Sequence, residues 1–302
     1  MKRVVSVSLG SSTRDKRVET EILGEPFVIE RIGTDGDMAR FKALVGELDG
    51  HVDAIGMGGI DLYLRAGRRR YQIRDAARLV AGVRHTPVVD GGGIKTSWEK
   101  YLILDYLPNQ AGVSFTGRRV LLVSSVDRYG MAEAFVQAGA DTLFGDFYFA
   151  LGIPVPLRRL GTVRLLAACM LPVITRLPFQ LLYPTGSKQE RITPKYPQLF
   201  RWAEVIAGDF HFIRRYMPDD LRGKTVFTQT ITSEDRAALS DRGVATLITA
   251  APAMDGRSFA TNVLEGIIVA LSGRRSEELS PEEFVQWMLR AGFRPRVERL
   301  AA

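Results

Sequence analysis

Arg118-Arg119-Val120-Leu121-Leu122-Val123-Ser124-Ser125-Val126-Asp127-Arg128-Tyr129-Gly130-Met131-Ala132-Glu133-Ala134-Phe135-Val136-Gln137-Ala138-Gly139-Ala140 is the stretch that decides the fold. Val120 to Val123 is a short apolar run, right for a parallel strand buried on both faces. A polar turn, Ser124 to Gly130, follows it, and Met131 to Ala138 has helical spacing. Strand, tight turn and helix make the opening unit of a nucleotide-binding α/β domain. Just upstream, Pro87-Val88-Val89-Asp90-Gly91-Gly92-Gly93-Ile94-Lys95 reads as a short strand and a glycine-rich polar turn. A site shared by two domains would sit there.

Toward the amino terminus, Val4–Leu9, Phe27–Ile32 and Val52–Met57 read as strands, and Met38–Leu48 and Tyr71–Val83 as helices. Strands alternating with helices predict a largely parallel sheet, with ligands at its carboxyl edge. Ser11, Ser12, Gly58, Gly59 and Asp90 fall at such strand ends. Trp98 to Leu107 reads as a helix leaving the first domain, with a break at Pro108. Toward the carboxyl terminus, Thr142–Asp146, Val205–Ala207, Lys224–Thr228 and Ala245–Thr249 read as strands. Helices follow the caps at Ser233 and Ser280-Pro281 and the turn at Asp255-Gly256.

The predicted fold is therefore α/β in two domains. Residues 1–110 form an amino-terminal α/β substrate domain, and residues 111–255 a Rossmann-like, doubly wound parallel sheet interrupted by an insertion at 147–200. Residues 256–302 are carboxy-terminal helices that fold back. The insertion is rich in apolar residues but broken by Arg158, Arg159, Arg164 and Arg176. It reads as extra core helices, an apolar lid, an interfacial membrane patch or a homodimer surface. No charge-free run reaches the roughly 18 residues of a spanning helix.

A net charge of +7 has two readings: a surface for phosphate-rich partners, or a solvated arginine-rich surface. Arg68-Arg69-Arg70 is too short for a nucleic-acid arm, so no nucleic-acid partner is expected. A single cysteine, Cys169, excludes an internal disulfide, and three scattered histidines argue against a zinc site. Met1-Lys2-Arg3 opens no long apolar stretch, so a cytoplasmic location is expected.

The order of parts resembles the shikimate and quinate dehydrogenase family. Val89-Asp90-Gly91-Gly92-Gly93-Ile94 is similar to that family's Thr-Asp-Gly-x-Gly-Phe segment, whose aspartate is catalytic. Gly10-Ser11-Ser12 stands where the family has substrate-binding serines, and Asp255-Gly256 before Ser258–Leu271 resembles its returning helix. The resemblance implies an NAD(P)-dependent oxidoreductase that moves a hydride between a nicotinamide and a small hydroxy acid or carbonyl.

The residues carry specific expectations. Asp90 and Lys95 would handle the proton. Asp209 and His211 form a second pair, brought to one face by alternation along an extended segment. Ser124, Ser125, Asp127, Arg128, Tyr129 and Gly130 would meet the cofactor phosphates at a helix start. Asp146, about 20 residues on, would take the ribose hydroxyls and favour NAD over NADP, because an acid repels a 2′-phosphate. Gly208, Thr228 and Thr230 would complete the cofactor set. Ser11, Ser12, Gly58 and Gly59 would touch the substrate, with Arg257 and Asn262 clamping an anionic group. Of the three fingerprint glycines only Gly130 is present. The alternative is a non-redox relative that binds an apolar or phosphorylated ligand through the 147–200 insertion.

Overall fold

The computed structural model describes residues 1–67, 69–178, 192–254 and 257–300, with the backbone alone at 253–254 and 257–258. The chain is α/β and divides into two compact units. The first holds Met1–Ile94, Cys169–Gln189 and Ala260–Gly292; the second holds Lys95–Ala168, Glu190–Phe259 and Phe293–Ala302.

In the first unit the chain runs β1 (Lys2–Ser8), β2 (Lys16–Ile22), β3 (Glu25–Gly33), α1 (Met38–Leu48), β4 (Ala54–Gly58), the hairpin β5 (Tyr63–Ala66) and β6 (Arg69–Gln72), α2 (Arg74–Val80) and β7 (Val88–Val89). The sheet order is β2-β3-β1-β4-β7, and only β2 is antiparallel. The chain thus winds outward both ways from β1, with a switch point between β1 and β4. Val5, Val7, Ile55 and Met57 on one face pack with Phe41 and Val45 of α1 and Ile73 and Leu79 around α2.

α3 (Gly92–Tyr101) runs through a π-helical turn (Leu102–Tyr106) into α4 (Leu107–Gln110). The expected break at Pro108 does not occur: the π-helical turn just before it, in which the Leu107 N–H reaches Leu102 O, carries the helix past the proline. The expected boundary near 110 moves to Ile94 for a related reason. Trp98, Leu102, Ile103 and Leu107 are fully buried, and Trp98 Nε1 donates to Ala250 O at 2.8 Å, so this helix packs with the second unit.

The second unit continues with β8 (Arg119–Leu122), α5 (Tyr129–Gln137), β9 (Asp141–Phe144), α6 (Asp146–Phe149) and α7 (Leu160–Ile174). Then come α8 (Pro197–Trp202), β10 (Val205–Ala207), α9 (Phe210–Tyr216), β11 (Thr225–Thr228), α10 (Ser233–Asp241), β12 (Thr246–Thr249) and a short pair, β13 (Ala253–Met254) and β14 (Arg257–Ser258). α11 (Thr261–Ser272) and α12 (Pro281–Arg290) return to the first unit, and β15 (Arg296–Arg299) to the second. The second sheet has the order β9-β8-β10-β11-β12-β15, parallel except for β15. Its parallel strands follow the doubly wound order 2-1-3-4-5, so the switch point lies between β8 and β10. Leu121, Ile206, Val226 and Leu247 fill one face of this sheet.

The carboxy-terminal helices fold back as expected. A Cβ on Gly266 of α11 would stand 2.8 Å from Val4 Cγ1, and one on Gly56 of β4 2.9 Å from Asn262 Nδ2. Glycine on each side lets the helix lie directly on the sheet. The insertion and the carboxy-terminal block are each divided between the two units instead of forming single pieces. No helix among the described residues is long and apolar enough to cross a membrane.

Candidate functional site

The switch point of the first sheet is closed by its own groups. Leu9 N–H donates to Gly58 O at 2.9 Å, and a Cβ on Gly58 would lie 2.8 Å from Ser8 Oγ. Gly58 and Gly59 therefore serve the close approach of β1 and β4. Ser11 Oγ accepts the Thr13 N–H, Ser12 N–H donates to Asp35 at 2.8 Å, and Arg31 reaches Ser11 O, Asp15 and Ser8. Asn262 is buried and donates to Ser6 Oγ at 2.7 Å, so it ties α11 to β1 and clamps no substrate. The side chain of Arg257 lies outside the described residues.

Asp90 and Lys95 do not pair. Asp90 accepts three backbone N–H groups, from Leu62, Tyr63 and Gly92, at 2.8 to 3.0 Å. Lys95 Nζ lies 2.9 Å from Asp127. Near Asp90, Glu265 is buried, accepts the Gly93 N–H at 3.1 Å and is also bonded by Ser276. Burial, reinforced by Asp90, pushes the Glu265 carboxyl up to about 7.

Asp209 and His211 form no proton-transfer pair either. Asp209 is the N-cap of α9, and its carboxylate accepts the His211 backbone N–H at 2.9 Å. The segment that alternation treats as extended is helical from Phe210, and His211 is exposed.

At the β8–α5 turn, Asp146 takes the place expected for a phosphate. It is partly buried, and accepts the Ser125 N–H and hydroxyl through one oxygen and the Val126 N–H at 3.0 Å through the other. Burial raises its pKa, while the turn's donors oppose that shift. The donors that should hold a pyrophosphate already hold a carboxylate, and the acid expected on the ribose is turned inward. Gly130 has a packing reason as well, since a Cβ there would meet Lys95 O at 2.7 Å. Gly208 (φ +127°) fits against Val123, 2.8 Å from the Cβ it lacks.

What the second switch point brings together is a buried polar network. Arg128, 4% exposed, follows β8 and Asp209 follows β10, and the two lie 3.3 Å apart across that point. Arg128 also reaches Glu99 of α3 at 2.5 Å, Gln229 Oε1 at 3.0 Å and Asp127 at 3.1 Å. Burial pushes the Glu99 carboxyl up, against the pull of Arg128 and Lys95. Seven buried side-chain atoms among the described residues have no hydrogen-bond partner, and five belong here: Glu99 Oε2, Ser124 Oγ, Thr228 Oγ1, Gln229 Nε2 and Thr249 Oγ1. Thr228 and Thr249 are register partners at the ends of β11 and β12. An unmet buried polar group costs about 1–3 kcal/mol, so four at one sheet edge, with Glu99 of α3, mark a place with spare bonding capacity. Glu99 and Thr249 carry no sequence signal, because a glutamate in a helix and a threonine ending a strand are commonplace.

A family model described as "Domain of unknown function (DUF8754)" matches residues 93–300. The chain belongs to the DUF8754 family. A second model, "Domain of unknown function (DUF8753)", matches residues 3–90. No curated protein matches this DUF8754 member. Among solved structures it is distantly similar to an ABC transporter solute-binding protein from Burkholderia multivorans, at 15% identity and a TM-score of 0.36, covering 92% of this chain and 96% of that one. A periplasmic ribose ABC transporter protein from Conexibacter woesei follows at 11% identity and 0.31, covering 89% and 83%. A dipicolinate synthase chain from Bacillus halodurans stands at 12% and 0.28, covering 90% and 98%. The expected classification as a quinate or shikimate dehydrogenase is corrected: the family models that match are DUF8754 and DUF8753, and the solved structures named above carry the names of other proteins.

Proposed function

We propose that this DUF8754 member binds a small, uncharged, hydroxyl-bearing molecule at the carboxyl edge of the second sheet, without redox chemistry. The observation that carries this reading is the set of five buried, unpartnered polar atoms around Arg128. Three are hydroxyls, one is an amide N–H donor and one a carboxyl acceptor, a mixture that suits a ligand with both donors and acceptors. Polyols and sugars have that character. A charged ligand fits less well, because Lys95 and Arg128 already face Asp127, Asp209 and Glu99. A site built to bond hydroxyls rejects analogues that lack them, since its own buried groups would stay unmet. We place the protein in the cytoplasm, where its exposed cysteine, Cys169, stays reduced.

A thermal-shift screen with sugars, polyols, NAD and NADP tests this reading, because a ligand that binds only the native state raises the melting temperature. A polyol or sugar should raise it, and Gln229→Leu should abolish the rise. A rise with NAD or NADP alone would overturn the proposal.

A further inference from the structure

A separate feature of the first unit points to a different ligand. β6, α2 and the end of α7 line a groove of about 670 Å³ that includes Arg70, Tyr71, Arg74, Arg78, Thr175 and Arg176. Arg74 N–H donates to Thr175 O at 2.9 Å, which fixes the start of α2 against the segment after α7. Arg74 and Arg78 are four residues apart on α2 and so share a face. Arg78 pairs with Asp75 at 3.4 Å. Among the described residues no carboxylate lies within ion-pair distance of Arg70, Arg74 or Arg176. Arg70 instead lies over the ring of Tyr63 at 5.3 Å. The Tyr71 hydroxyl is buried and has no partner among the described residues.

Several guanidiniums gathered in one concavity repel one another until an anion enters. Their planar donors match phosphate oxygens two at a time. The volume is that of a small-molecule site and exceeds what one phosphate fills. A nucleic-acid strand calls for several stacking rings along a basic track, and among the described residues Tyr71 is the one ring that lines the groove. We propose that this groove binds a small molecule carrying two or more phosphate groups.

Calorimetric titration of the full chain with inorganic triphosphate tests this, at low and at physiological salt. Saturable one-to-one binding that weakens with salt is expected. Arg74→Ala and Arg176→Ala should each weaken it about tenfold, and Arg74→Lys should weaken it less. Arg40→Ala, on the exposed surface of α1, should leave it unchanged. Circular dichroism checks that each variant is folded. No binding at low salt, equal weakening by Arg40→Ala, or a single-stranded oligonucleotide that binds more tightly than triphosphate through the same arginines would overturn the proposal.

Discussion

Glu265 is buried beside Asp90, with Arg65, Ser276 and the Gly93 N–H as its other neighbours, and its pKa stands near 7. The folded chain therefore keeps this proton to higher pH than the unfolded chain does. The stability it contributes is complete below the ordinary carboxyl range and is lost as pH rises through about 7. Arg65 opposes this shift and Asp90 favours it. Glu265→Gln should flatten the loss between about pH 5 and about pH 8, by on the order of 3 kcal/mol in urea unfolding. Parallel curves for the two proteins would exclude Glu265 as the source. Glu99 and Asp146 are raised in the same sense, but they are present in both proteins. Asp146 also shows what the sequence holds at this scale. Spacing puts an acid beside the β8–α5 turn, and one is there. Spacing gives no side-chain direction, and the N–H groups of Ser125 and Val126 draw this carboxylate onto the turn. Glu99 is illegible in the sequence, because only the buried Arg128 distinguishes it from a surface helical glutamate.

At the scale of elements, alternation and capping are good guides where the core faces are plain. β8 and α5 lie within one or two residues of the expected strand and helix. The antiparallel β2 and β15 escape, because Lys16–Ile22 and Arg296–Arg299 alternate charged residues with few apolar ones. Asp209-Phe210-His211 misleads because aspartate before a helix and aspartate in a strand give the same local pattern. The cap makes a direct prediction. Asp209→Ala should cost about 1 kcal/mol or more, from the lost cap and the lost Arg128 contact. His211→Ala should be nearly neutral in both stability and ligand binding. A large loss of ligand binding from His211→Ala alone would revive that pair as a chemical one.

For the whole molecule, each unit is a doubly wound sheet, and the two carboxyl edges are finished differently. The first is closed by Arg31, Leu9 and Gly58 through hydrogen bonds of its own. The second keeps a buried network with unmet donors and acceptors. The fold is legible because strands and helices alternate along most of the chain. The ligand is not, because it depends on which buried atoms remain unpaired, and that is a property of packing. The most direct test is a crystal structure of the chain with the polyol or sugar that most stabilises it. The ligand should place hydroxyls within hydrogen-bond distance of Gln229 Nε2 and Thr228 Oγ1, beside Arg128. A ligand bound elsewhere, with ordered water alone on those two atoms, would contradict the account.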